Sequence, residues 1–191
     1  EYSLARGALE IARLAIAGGI NIIQMREKGK ARDELIELGK DLAVLCKRRG
    51  VIFIVNDDPI LAGEVGADGV HLGQEDIKRY SIPDARRILG KDKIIGISTH
   101  SLEQFKTANK IDTDYIAFGP IFYTKTKDYF IGTSDIKNVL KAAAKPVFFI
   151  GGINLSNIND ILQEGAINIA LMRDVLEARD ITSRTAALKA E

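Results

Sequence analysis

The feature that most constrains this chain is a regular alternation of two patterns. Short β-branched runs recur at 20–25, 51–55, 69–72, 94–98, 115–119, 147–151 and 167–171, and amphipathic stretches separate most of them. The runs are nearly continuous in apolar residues, as parallel strands covered on both faces are, whereas strands with one wet face alternate. Helical spacing places helices at 32–49, 102–109, 134–144 and 157–164, with further ones at 4–17 and 82–89. Ser101 and Ser156 read as N-caps, and Gly50, Gly90 and Gly165 fall near helix ends. The connection 59–66 holds one short helix and leads to the turn Gly66-Ala67-Asp68-Gly69. Seven strands alternating with helices leave two architectures, a closed (β/α)₈ barrel and an open doubly wound sheet. A helix ahead of the first strand implies an earlier strand. The expectation is therefore an α/β fold, a (β/α)₈ or TIM barrel whose first strand is absent from this chain. No linker interrupts the rhythm, so one barrel domain is expected over 1–191.

Composition narrows the function classes. Apolar residues at 46% and charged residues at 28% suit a soluble domain able to bury a core. The net charge of +1 gives no field to attract nucleic acid or a membrane surface, and neither is an expected partner. A homo-oligomer stays open. The apolar runs 51–55 and 147–150 are too short to span a bilayer. No basic leader with an apolar core opens the sequence, so the cytoplasm is the expected compartment. The single cysteine, Cys46, excludes a disulfide framework and a multi-cysteine zinc site. Beside Val44 and Leu45 in the helix 32–49, it reads as packing rather than as a reactive thiol.

In such barrels the chemistry sits at the carboxyl ends of the strands. Here nearly every strand runs into polar residues: Gln24, Arg26, Glu27 and Lys28; Asn56, Asp57 and Asp58; Gln74, Glu75 and Asp76; Ser98, Thr99 and His100; Thr124 to Lys127; Gly151 and Gly152; Arg173. Gln24, Arg26 and Lys28 alternate along extended backbone and are expected to point one way. An arginine fork beside a lysine suits a phosphate or diphosphate, although a solvated charged strand end is the plainer reading. Asp57 and Asp76 end successive strands and are expected to be neighbours. Two carboxylates would repel a diphosphate unless a hard cation lay between, which makes Mg²⁺ the natural bridge. The plainer readings are an N-cap for Asp57 and a solvated acid for Asp76. Gly151-Gly152, with Met172-Arg173 one strand later, falls where barrels often bind a second phosphate on backbone N–H groups at a helix start. A tight turn that needs glycine is the alternative. His71, inside a strand, reads as a packed histidine rather than a base, and His100 is ambiguous. No Ser-His-Asp or Cys-His arrangement is legible, which argues against nucleophilic acyl chemistry.

Taken together, the runs Gln24-Met25-Arg26-Glu27-Lys28, Val55-Asn56-Asp57, Ala67-Asp68-Gly69-Val70-His71-Leu72-Gly73-Gln74-Glu75-Asp76, Gly96-Ile97-Ser98-Thr99-His100, Phe118-Gly119-Pro120-Ile121-Phe122, Thr124-Lys125-Thr126-Lys127 and Gly151-Gly152-Ile153 closely resemble the thiamine-phosphate synthase family. The resemblance implies a (β/α)₈ barrel that joins hydroxymethylpyrimidine diphosphate to thiazole phosphate with loss of pyrophosphate. It implies that Gln24, Met25, Arg26, Glu27, Lys28, Asn56, Ser98 and Lys127 contact the pyrimidine diphosphate, and that Asp57 and Asp76 hold Mg²⁺. Thr124, Lys125, Thr126, Gly152, Met172 and Arg173 would receive the thiazole phosphate. Arg26, Lys28, Ser98 and Lys127 are the expected catalytic residues. Such a transfer suits the absence of a triad, because an electron-rich aminopyrimidine stabilises a benzylic-type cation and no protein nucleophile is needed.

The chain departs from the family pattern in places. The usual opening strand is missing, Tyr123 stands where proline is common, and Asp128-Tyr129-Phe130-Ile131 replaces a loop usually rich in proline and alanine. Arg173 occupies a position often held by a small residue. A related branch, the thiazole tautomerases, tends to lose the metal carboxylates and the Thr-x-Thr-Lys run. Both are present here, so that branch ranks second. A non-catalytic phosphate-binding barrel would need the cations but not the carboxylate pair, and ranks third.

Overall fold

The computed structural model describes residues 6–125 and 127–191. Helix α1 (Ala8–Ala17) leads into β1 (Ile22–Met25), followed by α2 (Arg32–Arg49), β2 (Ile52–Asn56), α3 (Pro59–Val65) and β3 (Gly69–Leu72). Two short helices, α4 (Asp76–Arg79) and α5 (Ile82–Leu89), precede β4 (Ile94–Thr99), α6 (Leu102–Ala108) and β5 (Tyr115–Phe118). The chain continues through α7 (Ile136–Ala142), β6 (Val147–Ile150), α8 (Ile158–Leu162), β7 (Ile169–Ala170), α9 (Arg173–Leu176) and α10 (Ile181–Ala190). The strands pair in sequence order and in parallel, curling into an open barrel with helices outside. Among the described residues no ladder joins β1 to β7.

The expected elements are present with trimmed ends. The first strand begins at Ile22 rather than 20, and the last is two residues long. Positions 4 and 5 of the expected helix 4–17 lie outside the described residues, and Gly7 is extended. Ser101 caps α6 as expected, accepting from the Gln104 N–H at 3.2 Å. Ser156 does not cap α8. Its hydroxyl donates to Asn154 Oδ1 at 2.5 Å, and the N-cap position falls to Asn157. The side chain there is occupied by the preceding turn, since Asn157 Oδ1 accepts from the Asn154 N–H.

Strand register sorts the side chains. Pairs such as Val55↔Val70, Leu72↔Ile97 and Phe118↔Phe149 put one parity of every strand toward the helices. These residues form the cores with Leu42, Cys46, Leu61 and Ala85 on one side and Phe105, Ile136, Val139 and Ile158 on the other. Burial in this layer pushes the Cys46 thiol up to about 11, as expected of a packing cysteine. The opposite parity carries Gln24, Asn56, His71, Ser98 and Tyr115 into the barrel interior. One face therefore builds stability and the other is free for chemistry.

Charged groups at the amino ends of the strands are structural. Asp68 accepts from the Phe53 N–H at 2.8 Å and Asp114 from the Ile95 N–H at 2.7 Å, each tying the start of its own strand to its neighbour. Arg86 pairs with Asp114 and donates to the Lys93 carbonyl. At the edge of the barrel α10 docks on α1: Thr182 Oγ1 donates to the Leu14 carbonyl, and Ile181 packs with Ile11 and Ala15. A Cβ at Gly18 would sit 2.5 Å from Thr185 Cβ, so the close approach of the two helices needs glycine there. No described helix is long and apolar enough to cross a membrane.

Candidate active site

The carboxyl end of β2 turns sharply. Asp57 has φ of 70°, a left-handed conformation that aspartate and asparagine tolerate better than most residues. Its N–H extends the ladder to the His71 carbonyl at 2.8 Å. The capping role falls to Asp58, whose Oδ1 accepts from the Leu61 N–H at 2.9 Å while Arg32 binds Oδ2. Asp57 is thereby left for other work. Asp76 opens α4, and its Oδ2 accepts from the Gly73 N–H at 2.8 Å, so it is a fixed rather than a freely solvated acid. The two carboxyl groups are close enough to act on each other's ionisation.

Burial raises the Asp57 pKa to about 6, reinforced by the neighbouring Asp76 carboxyl and its charge, while Arg26 and Lys28 pull it back. Two carboxylates this close cannot both ionise comfortably; they share a proton or take a cation between them. The donors are hard oxygens only, and Mg²⁺ is commonly held by one or two carboxylates plus substrate phosphates. Among the described residues no group of three or more His, Cys, Asp or Glu could hold a metal, so further ligands would come from substrate or water. The pair fits such an ion.

The cationic side is built by the loop after β1. The expected alternation of Gln24, Arg26 and Lys28 along one strand stops at Met25, where β1 ends. Arg26 and Lys28 follow in the loop and still act on Asp57. Gln24 has the parity of the inward-facing residues and is near enough to act on the Tyr115 hydroxyl. The Met25 side chain is buried in the helix-side core, so it offers the barrel mouth only its backbone, while Glu27 is exposed. Asn56 is half-buried beside the carboxylates.

The barrel interior holds a group that sequence reading missed. His71 Nδ1 lies 2.9 Å from the Tyr115 hydroxyl, and His71 Nε2 lies 2.7 Å from Ser98 Oγ. Burial lowers the His71 pKa to about 4, so the ring is neutral at physiological pH, a packed histidine as its strand position suggested. Tyr115 fills the space above Gly96, where a Cβ would collide with its ring. His100 Nδ1 donates to the Gly119 carbonyl at 2.6 Å, and its ring meets Tyr129 edge-on.

On the far side of the mouth Thr124 is buried and bridges to Lys127 in a tight antiparallel turn, with Lys125 and Lys127 exposed. Thr126 lies outside the described residues. The Lys127 ammonium sits 5.8 Å above the Tyr129 ring, a residue of the segment that departs from the family pattern. Gly151 and Gly152 both have positive φ, but they do not open a helix, because a turn at Asn154–Asn157 intervenes before α8. A Cβ at Gly152 would approach the Tyr123 carbonyl to 2.5 Å and Phe122 Cβ to 2.8 Å. The glycine is thus needed by the fold as well as by any close-lying anion. Met172 is exposed, and Arg173 opens α9.

A family model described as thiamine monophosphate synthase matches residues 2–175. The chain belongs to the thiamine monophosphate synthase family. Within that family it is 41% identical to the thiamine-phosphate synthase of Persephonella marina over 92% of this chain and 83% of the relative. The enzyme of Shouchella clausii is 38% identical over 100% of this chain and 91% of its own. The solved thiamine phosphate pyrophosphorylase of Pyrococcus furiosus superposes with a TM-score of 0.89 at 35% identity, covering 97% of this chain and 89% of that one. A 3-hexulose-6-phosphate synthase structure, 15% identical with a TM-score of 0.65, shares the barrel-type fold alone. The resemblance in sequence and the fold expected from the strand rhythm therefore both hold.

Proposed function

We propose that this enzyme joins hydroxymethylpyrimidine diphosphate to thiazole phosphate, forming thiamine phosphate and pyrophosphate. The observation that carries the reading is the Asp57–Asp76 pair of neighbouring carboxyl groups, on which the cations Arg26 and Lys28 act. Such opposed charges suit a diphosphate. Asp57 and Asp76 would hold Mg²⁺, which when bound neutralises charge growing on the leaving pyrophosphate. Arg26, Lys28 and Lys127 grip diphosphate oxygens and stabilise the same charge in the transition state. Gln24, Asn56, Ser98 and the adjoining backbone of Met25 and Glu27 orient the pyrimidine portion. The methylene–oxygen bond breaks with its electron pair leaving on pyrophosphate, and the thiazole nitrogen lone pair forms the new carbon–nitrogen bond. No proton has to be removed for that bond to form, consistent with a neutral His71 and the lack of a triad. Thr124, Lys125, Thr126, Gly152, Met172 and Arg173 receive the thiazole phosphate. Enclosure of the reacting groups by the site would exclude water that would otherwise capture the cation. The near-neutral net charge of +1 suits a cytoplasmic enzyme of two small substrates.

Titration calorimetry with inorganic pyrophosphate tests the diphosphate side. Binding is expected only with Mg²⁺ present and is expected to vanish in the double variant Asp57→Asn/Asp76→Asn; binding indifferent to both would contradict the assignment.

The two phosphate subsites should respond separately. Arg26→Ala is expected to weaken the pyrimidine diphosphate chiefly. Gly152→Ala is expected to raise KM for thiazole phosphate and, because of the positive φ and the Tyr123 contact, to cost about 1–3 kcal/mol of stability. Steady-state kinetics against each substrate and thermal unfolding check this. Equal effects of both changes on both substrates would contradict separate subsites.

A further inference from the structure

The barrel interior contains a continuous chain of hydrogen-bonded groups, Tyr115, His71 and Ser98, contributed by β5, β3 and β4. Register explains how they meet: His71 pairs with Gly96, Gly96 with Tyr115, and Ser98 lies two residues further along the same face. The absence of a side chain at Gly96 lets the Tyr115 ring lie across β4 and stack on His71 with centroids 5.5 Å apart. Phe148 packs edge-on behind it. Nothing in the transfer itself uses Tyr115 or His71 as acid, base or nucleophile.

Donor and acceptor chemistry sets the direction along this chain. A phenol O–H is more acidic than the N–H of a neutral imidazole and is the stronger hydrogen-bond donor. The phenol's own proton is then available to His71 Nδ1 at 2.9 Å. A neutral imidazole that accepts at Nδ1 carries its proton on Nε2 and donates from there. Nε2 faces Ser98 Oγ at 2.7 Å, so the serine oxygen accepts. Its own proton is left over. A diphosphate oxygen can only accept, so Ser98 is useful to such a substrate only in this arrangement. In the opposite tautomer His71 would take the serine proton and turn the hydroxyl away.

We propose that Tyr115 and His71 are positioning residues: the Tyr115 phenol holds His71 in the Nε2–H tautomer and so presents Ser98 to the substrate as a hydrogen-bond donor. The inference rests on the substrate role given to Ser98 under the proposed function. Gln74 supports it by donating to the Ser98 carbonyl at 2.5 Å, which fixes the backbone from which the hydroxyl projects. His100 by contrast carries a proton on Nδ1, which it donates to the Gly119 carbonyl.

That contrast makes a test independent of activity. Ring ¹⁵N–¹H correlation spectra of the full chain, assigned with a His100→Gln variant, are expected to show His71 protonated on Nε2. In Tyr115→Phe, which keeps the ring over Gly96, a substantial Nδ1–H population is expected at His71. An Nδ1–H tautomer in the unaltered protein, or no change in Tyr115→Phe, would overturn the relay. Kinetics supply the second arm. Tyr115→Phe is expected to lower kcat about tenfold with little change in KM, about what one charge-assisted hydrogen bond contributes. In a Ser98→Ala background the same change should have no further effect. Additive losses would overturn the proposal, because they would mean that Tyr115 acts other than through Ser98. Full kcat in Ser98→Ala would defeat the substrate role of Ser98 itself, with the spectra still deciding the tautomer.

Discussion

Replacing Asp57 by asparagine is expected to lower kcat/KM by roughly a hundredfold to a thousandfold, the scale of losing a main electrostatic stabiliser, while making the cation-free protein more heat-resistant at pH 8. The two effects share one cause. Burial and Asp76 hold the Asp57 pKa at about 6 in the folded protein, above its ordinary value of 3.8. A carboxyl group with a raised folded pKa favours the folded state while protonated, and that contribution is lost as pH rises from about 4 through about 6. Above pH 6 the folded protein carries two facing carboxylates, and asparagine removes one. Asparagine also tolerates the left-handed backbone at this position, so the turn should survive. The difference in melting temperature should therefore favour the variant at pH 8 and fade toward pH 4. Saturating Mg²⁺ should narrow it by stabilising the unaltered protein preferentially. Asp76→Asn should cost a similar activity, and the double variant little more, because the shared ion is lost once. Equal melting temperatures across the pH range, or additive activity losses, would contradict the paired role.

Lys127→Met is expected to lower kcat by roughly tenfold to a thousandfold, with a smaller change in KM. Lys127 is exposed and is placed by its bridge to Thr124, with its ammonium above the Tyr129 ring. It stands on the opposite side of the mouth from Arg26 and Lys28. A cation there contributes most when negative charge grows on the departing pyrophosphate oxygen, which places its effect on kcat. Methionine keeps most of the stem and removes the charge, so packing on Tyr129 is largely retained. Stopped-flow single-turnover kinetics separate the two cases; a near-normal chemical step with a raised KM alone would reduce Lys127 to a binding contact.

The architecture was legible because parallel strands buried on one face and half-buried on the other leave dense β-branched runs. Gly69–Leu72 and Arg32–Arg49 fall where their patterns put them. The short α4 and α9 were not legible, since four residues cannot display a helical period. Helix α10 was missed for a different reason: Ile181 and Thr185 are its buried residues, and its attachment depends on contacts with α1 rather than on a strong apolar stripe. The carboxylate pair was visible as acids at successive strand ends. The transfer of the capping role to Asp58 was not, because it depends on the turn at Asp57. Nothing in the sequence pattern singles out Tyr115 within the strand run 115–119. The signal that could have exposed it is parity: Tyr115, Ser98 and His71 share one face across three adjacent strands, opposite the buried aliphatic residues.

The central claim, that the site couples diphosphate departure to capture by a thiazole phosphate, is tested most directly by measuring pyrophosphate release and thiamine phosphate formation in the same reaction. With both substrates and Mg²⁺ the two products are expected to appear in equal amounts, and neither is expected when the cation is removed. Pyrophosphate without thiamine phosphate, or isomerisation of the thiazole phosphate with no pyrophosphate released, would contradict the account.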